Sequence, residues 1–248
     1  MNKALLIVVF IIFSLVDMCA QDQFKLLLFT HHDEWHSECI PAAVQAFEKM
    51  SEENQFHFDW TQLPKELETK LPEYDIVVFV NANTDVLDSA QIQALKRFVN
   101  RGGGFVGIHA ASAAKIRNEW FDGLIGGVFT NHPKFQTALV EVKEGTHPSV
   151  LHLPQKWLWS DEWYNFEKIE VDKLNVVLTV DETSYDYSAG YDDIPLSGMG
   201  DEHPIAWYHE YEGGRVFYTS LGHKPEVYKN NNFLKHILGA IYWTLNEK

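Results

Sequence analysis

The chain has 248 residues, 46% hydrophobic and 14% aromatic, with a formal charge of -15 at pH 7. That length accommodates one large domain or two small ones with an ample core. The acidic surplus excludes nucleic acid and anionic membrane surfaces as partners, and two cysteines are too few for a disulfide framework or a thiolate metal cluster.

Residues 1–20 read as a secretory signal. Lys3 gives the positive start, residues 4–16 are apolar, and Cys19-Ala20 supply the small residues at the cut. The run is too short for a comfortable membrane span. Cleavage after Ala20 predicts an exported protein, periplasmic or at the cell surface, with residues 21–248 as a single domain. A lipoprotein acylated at Cys19 is the weaker alternative, because Asp17 and Met18 are not the small residues such sites want. Cys39 then remains alone at the start of a predicted helix, where a helix N-terminus would lower its pKa and burial would make it inert.

Residues 24–29 form the first predicted strand, followed by a polar loop with His31, His32 and His36. Ile40, Ala43, Val44, Phe47 and Met50 then recur at helical spacing. In an open parallel sheet the loop after a strand's carboxyl end is where ligands bind, which makes His36, nearest the helix start, the foremost of the three. Residues 55–60 form a second strand, 61–72 a polar connection with a helical turn, and 74–80 a third strand. Asp88 and Gln91 have the form of a capping box. Ile92, Leu95, Phe98 and Val99 mark the inner face of the helix they open, and Gly102 closes it.

The centre of the chain is the run of residues 103–112, GGFVGIHAAS. Its apolar part suits a strand buried on both faces, and its small residues permit a sharp turn that lifts His109 out at the sheet edge. Amidotransferases and hydrolases lift a Cys or Ser nucleophile from such an elbow; here an imidazole stands in that place. Ser112 lies past the elbow and is expected to face the following segment, so a Ser-His-Asp triad is set aside. The alternation so far predicts a parallel sheet covered by helices, with right-handed crossovers.

Later elements are predicted as a strand at 137–142, a turn at Thr146-His147-Pro148, an aromatic and acidic stretch at 157–166, and a strand at 176–180 ending in Asp181-Glu182. Residues 184–201 read as a long irregular loop of lid or binding type. Strands at 205–208 and 215–220 flank a Gly213-Gly214 hairpin turn, and a final amphipathic helix starts near Asn231 or Asn232. The strand ends thus present His36, His109, His132, Asp161, Glu162, Asp181, Glu182, His203 and His223. Imidazoles titrate near neutrality and serve as acid, base or metal ligand, and carboxylates orient them. No HExxH or CxxC spacing is present.

Five motifs carry a resemblance: residues 103–112; Thr146-His147-Pro148; residues 161–166, DEWYNF; residues 203–207, HPIAW; and residues 214–219, GRVFYT, followed by Leu221-Gly222-His223. In this order they resemble the ThuA-like (trehalose utilisation) family over most of the chain. The resemblance implies an α/β fold, a three-layer flavodoxin/glutamine-amidotransferase-like sandwich with a mainly parallel central sheet and a hairpin extension. It also implies a carbohydrate partner, with oxidised (3-keto) glycosides as substrates of a hydrolase, lyase or isomerase that lacks the amidotransferase Cys. Such chemistry needs a base, a pole that polarises the ketone and an acid for the leaving group. His109 is expected as base and Asp161 or Glu162 as acid, with His223 also catalytic. His36, His203, Trp163, Tyr164 and Trp207 are expected to bind substrate, the aromatic rings by stacking. A divalent metal, if used, is expected on His36, His132 and His203. The chain departs from the family pattern at Ala113-Ala114, where many relatives carry an acid. A non-catalytic sugar-binding protein is the competing expectation, and self-association is left open.

Overall fold

The computed structural model describes residues 22–191 and 194–245; the predicted signal segment lies outside the described residues. Strands β1 (Lys25–Thr30), β3 (Ile76–Val80) and β4 (Gly104–Ile108) are buried almost throughout, as continuous apolar runs require when both faces of a sheet are covered. With β2 (His57–Thr61) and β11 (Gly214–Thr219) they form a parallel block in the order β2-β1-β3-β4-β11.

Successive side chains on these strands enter opposite cores, following the two-residue period of a strand. Leu26, Leu28, Val78 and Ile108 pack with helices α1 (Ile40–Asn54) and α5 (Asn231–Thr244). Leu27, Phe29, Val77, Phe79 and Phe105 pack with α2 (Pro64–Lys70), α3 (Ser89–Asn100) and α4 (Glu119–Ile125). This is the three-layer sandwich. The reciprocal Asp88–Gln91 capping box forms at the start of α3. Asn230 caps α5, accepting from the N–H groups of Asn232 and Phe233. Cys39 caps α1 with its backbone only, and burial pushes its thiol up to about 11, so the helix terminus does not activate it. No helix among the described residues is long and apolar enough to cross a membrane.

The extension is larger than one hairpin. Strands β10 (His203–Tyr211), β9 (Asn175–Asp181), β6 (Gln136–Val142) and β7 (Lys156–Asp161) continue the sheet beyond β11, each pair antiparallel, to nine strands. The sequence reading missed β7 because this edge strand alternates tryptophan with polar residues, and its Leu158 is 70% exposed. It also missed a two-stranded ribbon of β5 (Val128–Asn131) and β8 (Asn165–Glu167), strands too short to display a period. The antiparallel alternation has a consequence for function. It turns β7 to run in the same direction as the parallel block, so Asp161 and Glu162 emerge at the carboxyl edge shared by β1, β4 and β11.

His147, in the Thr146-His147-Pro148 turn, is structural. Its ring stacks on Tyr208 with centroids 4.3 Å apart, and its Nδ1 accepts the Ser149 N–H. Burial lowers its pKa from 6.5 to about 4, with the Glu144 charge opposing. The unfolded chain therefore takes up this proton before the folded one does. Stability is full above pH 6.5 and falls as the pH drops from there toward 4. Denaturant unfolding near pH 7 and pH 5 is expected to show a loss of about 2 kcal/mol from this residue. In His147→Asn, whose amide oxygen can keep the Ser149 bond, the fall should be smaller by that amount; an equal fall would remove His147 as its source.

Candidate active site

The site is built from the elbow. His109 follows β4 with φ +53°, a conformation that a non-glycine residue holds only when its surroundings impose it. Several bonds do so here. The Tyr218 hydroxyl donates to the His109 carbonyl at 2.8 Å, and the Ala110 N–H donates to Asn81 Oδ1 at 3.2 Å. The imidazole Nδ1 lies 2.6 Å from the Ser220 carbonyl, and Nε2 lies 2.8 Å from the Tyr164 hydroxyl. A carbonyl only accepts, so Nδ1 carries a proton and Nε2 is the atom aimed at the site. Ser112 lies 3.4 Å from the His109 carbonyl and accepts from Tyr218 at 3.2 Å, so it contacts the elbow backbone.

The turn after β11 delivers His223. Gly222 has φ +126°, and a Cβ there would meet Ile108 Cγ2 at 2.8 Å, so the turn needs glycine. Asp161 grips this turn from one side, accepting the N–H groups of Gly222 at 2.9 Å and His223 at 3.3 Å. It also accepts from the Glu162 N–H at 3.0 Å and from Trp159 Nε1 at 3.2 Å. Asn81 holds the other side, donating to the Gly222 carbonyl at 3.1 Å. Burial raises the Asp161 pKa, with the His109 charge and these donors opposing.

The loop after β1 supplies His36. Asp33 accepts the N–H groups of Trp35 and His36 and binds His36 Nδ1 at 2.8 Å, which leaves His36 Nε2 toward the site. Burial alone would raise the Asp33 carboxyl; its bonds to His36 hold it down at about 2.

Glu162 is the meeting point. Its Oε2 lies 3.3 Å from His109 Nε2, 3.4 Å from His223 Nδ1 and 3.5 Å from His132 Nε2. Ring centroids of His36, His109 and His223 are 5.2–5.3 Å apart in all three pairs. Burial would raise the Glu162 pKa, yet the surrounding imidazoles hold it at about 2, so this carboxylate stays ionised at neutral pH. His109 is raised: burial disfavours its charge, but Glu162 and Asp161 outweigh that. Burial lowers His223 to about 3 and lowers His132 as well. Ligand atoms of His36, His109, Glu162 and His223 all lie within 4.8 Å of one another, close enough to share a metal ion.

The cluster floors a cavity of about 490 Å³, lined by His36, His132, Glu162 and Tyr164 together with Trp35, Phe129 and Tyr191. Trp35 is 60% exposed and Tyr191 51%, so both rings that line it also reach solvent. A larger hollow of about 650 Å³ opens elsewhere, between Arg117, Lys168 and Tyr211, and contains no part of the cluster.

Of the residues expected from sequence, His36, His109, His132, Glu162, Tyr164 and His223 come together. Several others do not act as expected. Trp163 and Trp207 are fully buried, and Trp207 donates to the Ile125 carbonyl, so neither offers a face to a sugar. His203 is buried between Glu182 at 2.8 Å and the Tyr164 carbonyl at 2.9 Å. It supports Tyr164 and is not available as a ligand or a substrate contact. Asp161 has its oxygens filled by N–H donors and cannot protonate a leaving group. The imidazoles around Glu162 hold its carboxyl low, which disfavours it as the acid. Of the three metal ligands expected, only His36 is in the converging quartet; His132 stands beside it, with Nδ1 on the Pro133 carbonyl at 2.9 Å. Asp181 caps its own turn through Thr183, and Glu182 holds Met199 and Gly200. Asp33, Asn81, Trp35 and Tyr191 join the site without having been expected from sequence. Only Asp33 carried a local signal, a carboxylate three residues before a candidate histidine.

A parallel block ordered 2-1-3-4, a strained elbow at its carboxyl edge and an imidazole in the nucleophile's place define an amidotransferase-like sandwich whose elbow residue is His109. The chain belongs to the ThuA family, described as trehalose utilisation, whose profile matches residues 25–244. A ThuA-like protein from Bacteroides uniformis is 25% identical, with 95% of this chain and 96% of that one covered at a TM-score of 0.78. A second, from Parabacteroides merdae, is 19% identical over 91% and 92%, with a TM-score of 0.67. PurLQS from Thermotoga maritima, 16% identical over 89% and 99% with a TM-score of 0.52, shares the fold. No curated protein matches the chain in sequence.

Proposed function

We propose that the cavity takes an oxidised glycoside, a 3-keto sugar or a close relative, and cleaves it by proton transfer at the carbon beside the ketone. The observation that supports this reading is the convergence of imidazoles on one ionised carboxylate beneath an aromatic-rimmed cavity of sugar size. The family's link to carbohydrate use points the same way. A carbonyl at C3 acidifies the C–H at C2. His132 Nε2 is the base: its Nδ1 proton is directed at Pro133, its Nε2 lone pair is unprotonated, and it lines the cavity. His109, expected as base, has no exposed surface and acts from behind Glu162. The C2 proton moves to His132, the C1–O bond breaks, and the same proton passes to the departing oxygen. Water then adds to the resulting enone. His109, whose positive form Glu162 favours, is the pole that offsets charge developing on the ketone oxygen, and Trp35 and Tyr191 stack on the ring faces. The export pattern of residues 1–20 supports placing this chemistry outside the cytoplasm.

Incubation of the purified mature chain in deuterated water with a 3-keto-disaccharide and with its unoxidised parent tests the reading. Cleavage and deuterium uptake beside the carbonyl are expected only for the keto sugar. His132→Ala should lower kcat by ~10²-fold or more, and Tyr191→Ala should raise KM by about 10-fold at little change in kcat. Binding of sugar without turnover would replace the enzyme by a sugar-binding protein, and equal cleavage of the parent would refute the role of the ketone.

A further inference from the structure

We infer that His36, His109, His223 and Glu162 form a site for one first-row transition-metal dication, open on its cavity side. The quartet comes from four separated parts of the chain, the segments that follow β1, β4, β7 and β11, and its four ligand atoms lie within 4.8 Å. Two of the donors are fixed by the hydrogen bonds behind them. Asp33 takes the His36 Nδ1 proton and the Ser220 carbonyl takes that of His109, so each ring turns its Nε2 lone pair inward. Outer partners of this kind orient metal-binding imidazoles. The His223 backbone is clamped by Asp161.

His223 supplies the decisive observation. It is 8% exposed, and its buried Nδ1 has no hydrogen-bond partner, although it points at Glu162 from 3.4 Å. A buried polar atom without a partner is rare and calls for an explanation. Donors held at 2.0–2.1 Å around a tetrahedral ion are about 3.3 Å apart, and Glu162 Oε2 lies 3.3 Å and 3.4 Å from His109 and His223. Three imidazoles and one carboxylate select zinc, cobalt, iron, nickel or copper over magnesium and calcium, which prefer all-oxygen sites. His36 and Glu162 line the cavity, whereas His109 and His223 sit behind them, so the free face of the ion is turned toward incoming sugar oxygens. The Tyr164 hydroxyl now holds the His109 Nε2 lone pair; an ion displaces that bond.

The test reads ion binding without any substrate, so its failure is distinct from failure of the keto-glycoside reading. Full-length mature protein is purified without chelator, its metal content is measured, and the stripped protein is titrated with Co²⁺, Zn²⁺, Mg²⁺ and Ca²⁺. The expected result is about one transition ion per chain, a rise in melting temperature with Zn²⁺ and Co²⁺ only, and Co²⁺ visible bands typical of nitrogen ligation. His36→Gln and His223→Ala should weaken Co²⁺ binding by more than ~100-fold, and Asp33→Asn by roughly 10- to 100-fold. Tyr164→Phe should bind Co²⁺ at least as well as the wild type. Failure of Zn²⁺ and Co²⁺ to bind the wild-type protein, an equal response to Mg²⁺, or unchanged Co²⁺ affinity in a folded His36→Gln protein would overturn the assignment.

Discussion

Glu162→Gln is expected to lower kcat/KM for a 3-keto-disaccharide by ~10³-fold while leaving the circular dichroism spectrum native. The substitution keeps the shape of the side chain and removes its charge. Three imidazole nitrogens surround the affected oxygen at 3.3–3.5 Å. Together with Asp161 the charge raises His109 against the pull of burial, and the surrounding imidazoles favour it in turn by holding the carboxyl low. An uncharged amide would present an N–H to some of these nitrogens and remove the anion that favours the positive form of His109. The loss should therefore appear in kcat more than in KM, since Trp35 and Tyr191 at the cavity mouth are untouched. A Glu162→Gln protein that turns over the keto sugar at the wild-type rate would detach the cluster from the chemistry.

The second large effect concerns stability. Asp161→Ala should destabilise the fold by about 3–5 kcal/mol, because four donors lose their acceptor, three of them buried. These are the N–H groups of Glu162, Gly222 and His223 and the indole of Trp159. Asp161→Asn, nearly the same size, should fold with a smaller loss. Its amide group would still face a donor, so the Gly222–His223 turn should loosen and activity should fall although the protein is native by spectroscopy. Urea unfolding gives the first quantity and kinetics on the folded Asn variant the second. An Ala variant as stable as the wild type would mean that the turn is held by Asn81 alone.

The parallel block, its two apolar faces, the capping box of α3, the elbow and the amphipathic last helix were all legible in the amino-acid sequence. Each depends on neighbours a few residues apart: a period of two or of 3.6, a cap three residues before its partner, small residues around a turn. The family was legible too, because its motifs are contiguous strings.

Which histidines would meet was a different kind of question. His109 and His223 follow strands that lie side by side although more than a hundred residues separate them, and Glu162 reaches both only because four antiparallel reversals bring the end of β7 back to the same edge. His203 carries as strong a local signal as His223 and starts at the same edge, yet its ring is buried and taken up by Glu182 and the Tyr164 carbonyl. Trp163 and Trp207 read as stacking platforms and are core residues, whereas Trp35 and Tyr191, in polar loops, are the exposed rings. Strand order, strand direction and burial are properties of long-range pairing, which short-range periodicity does not encode. The chain by itself determined the layers and the elbow; the packed sheet alone decided which side chains share the space above it.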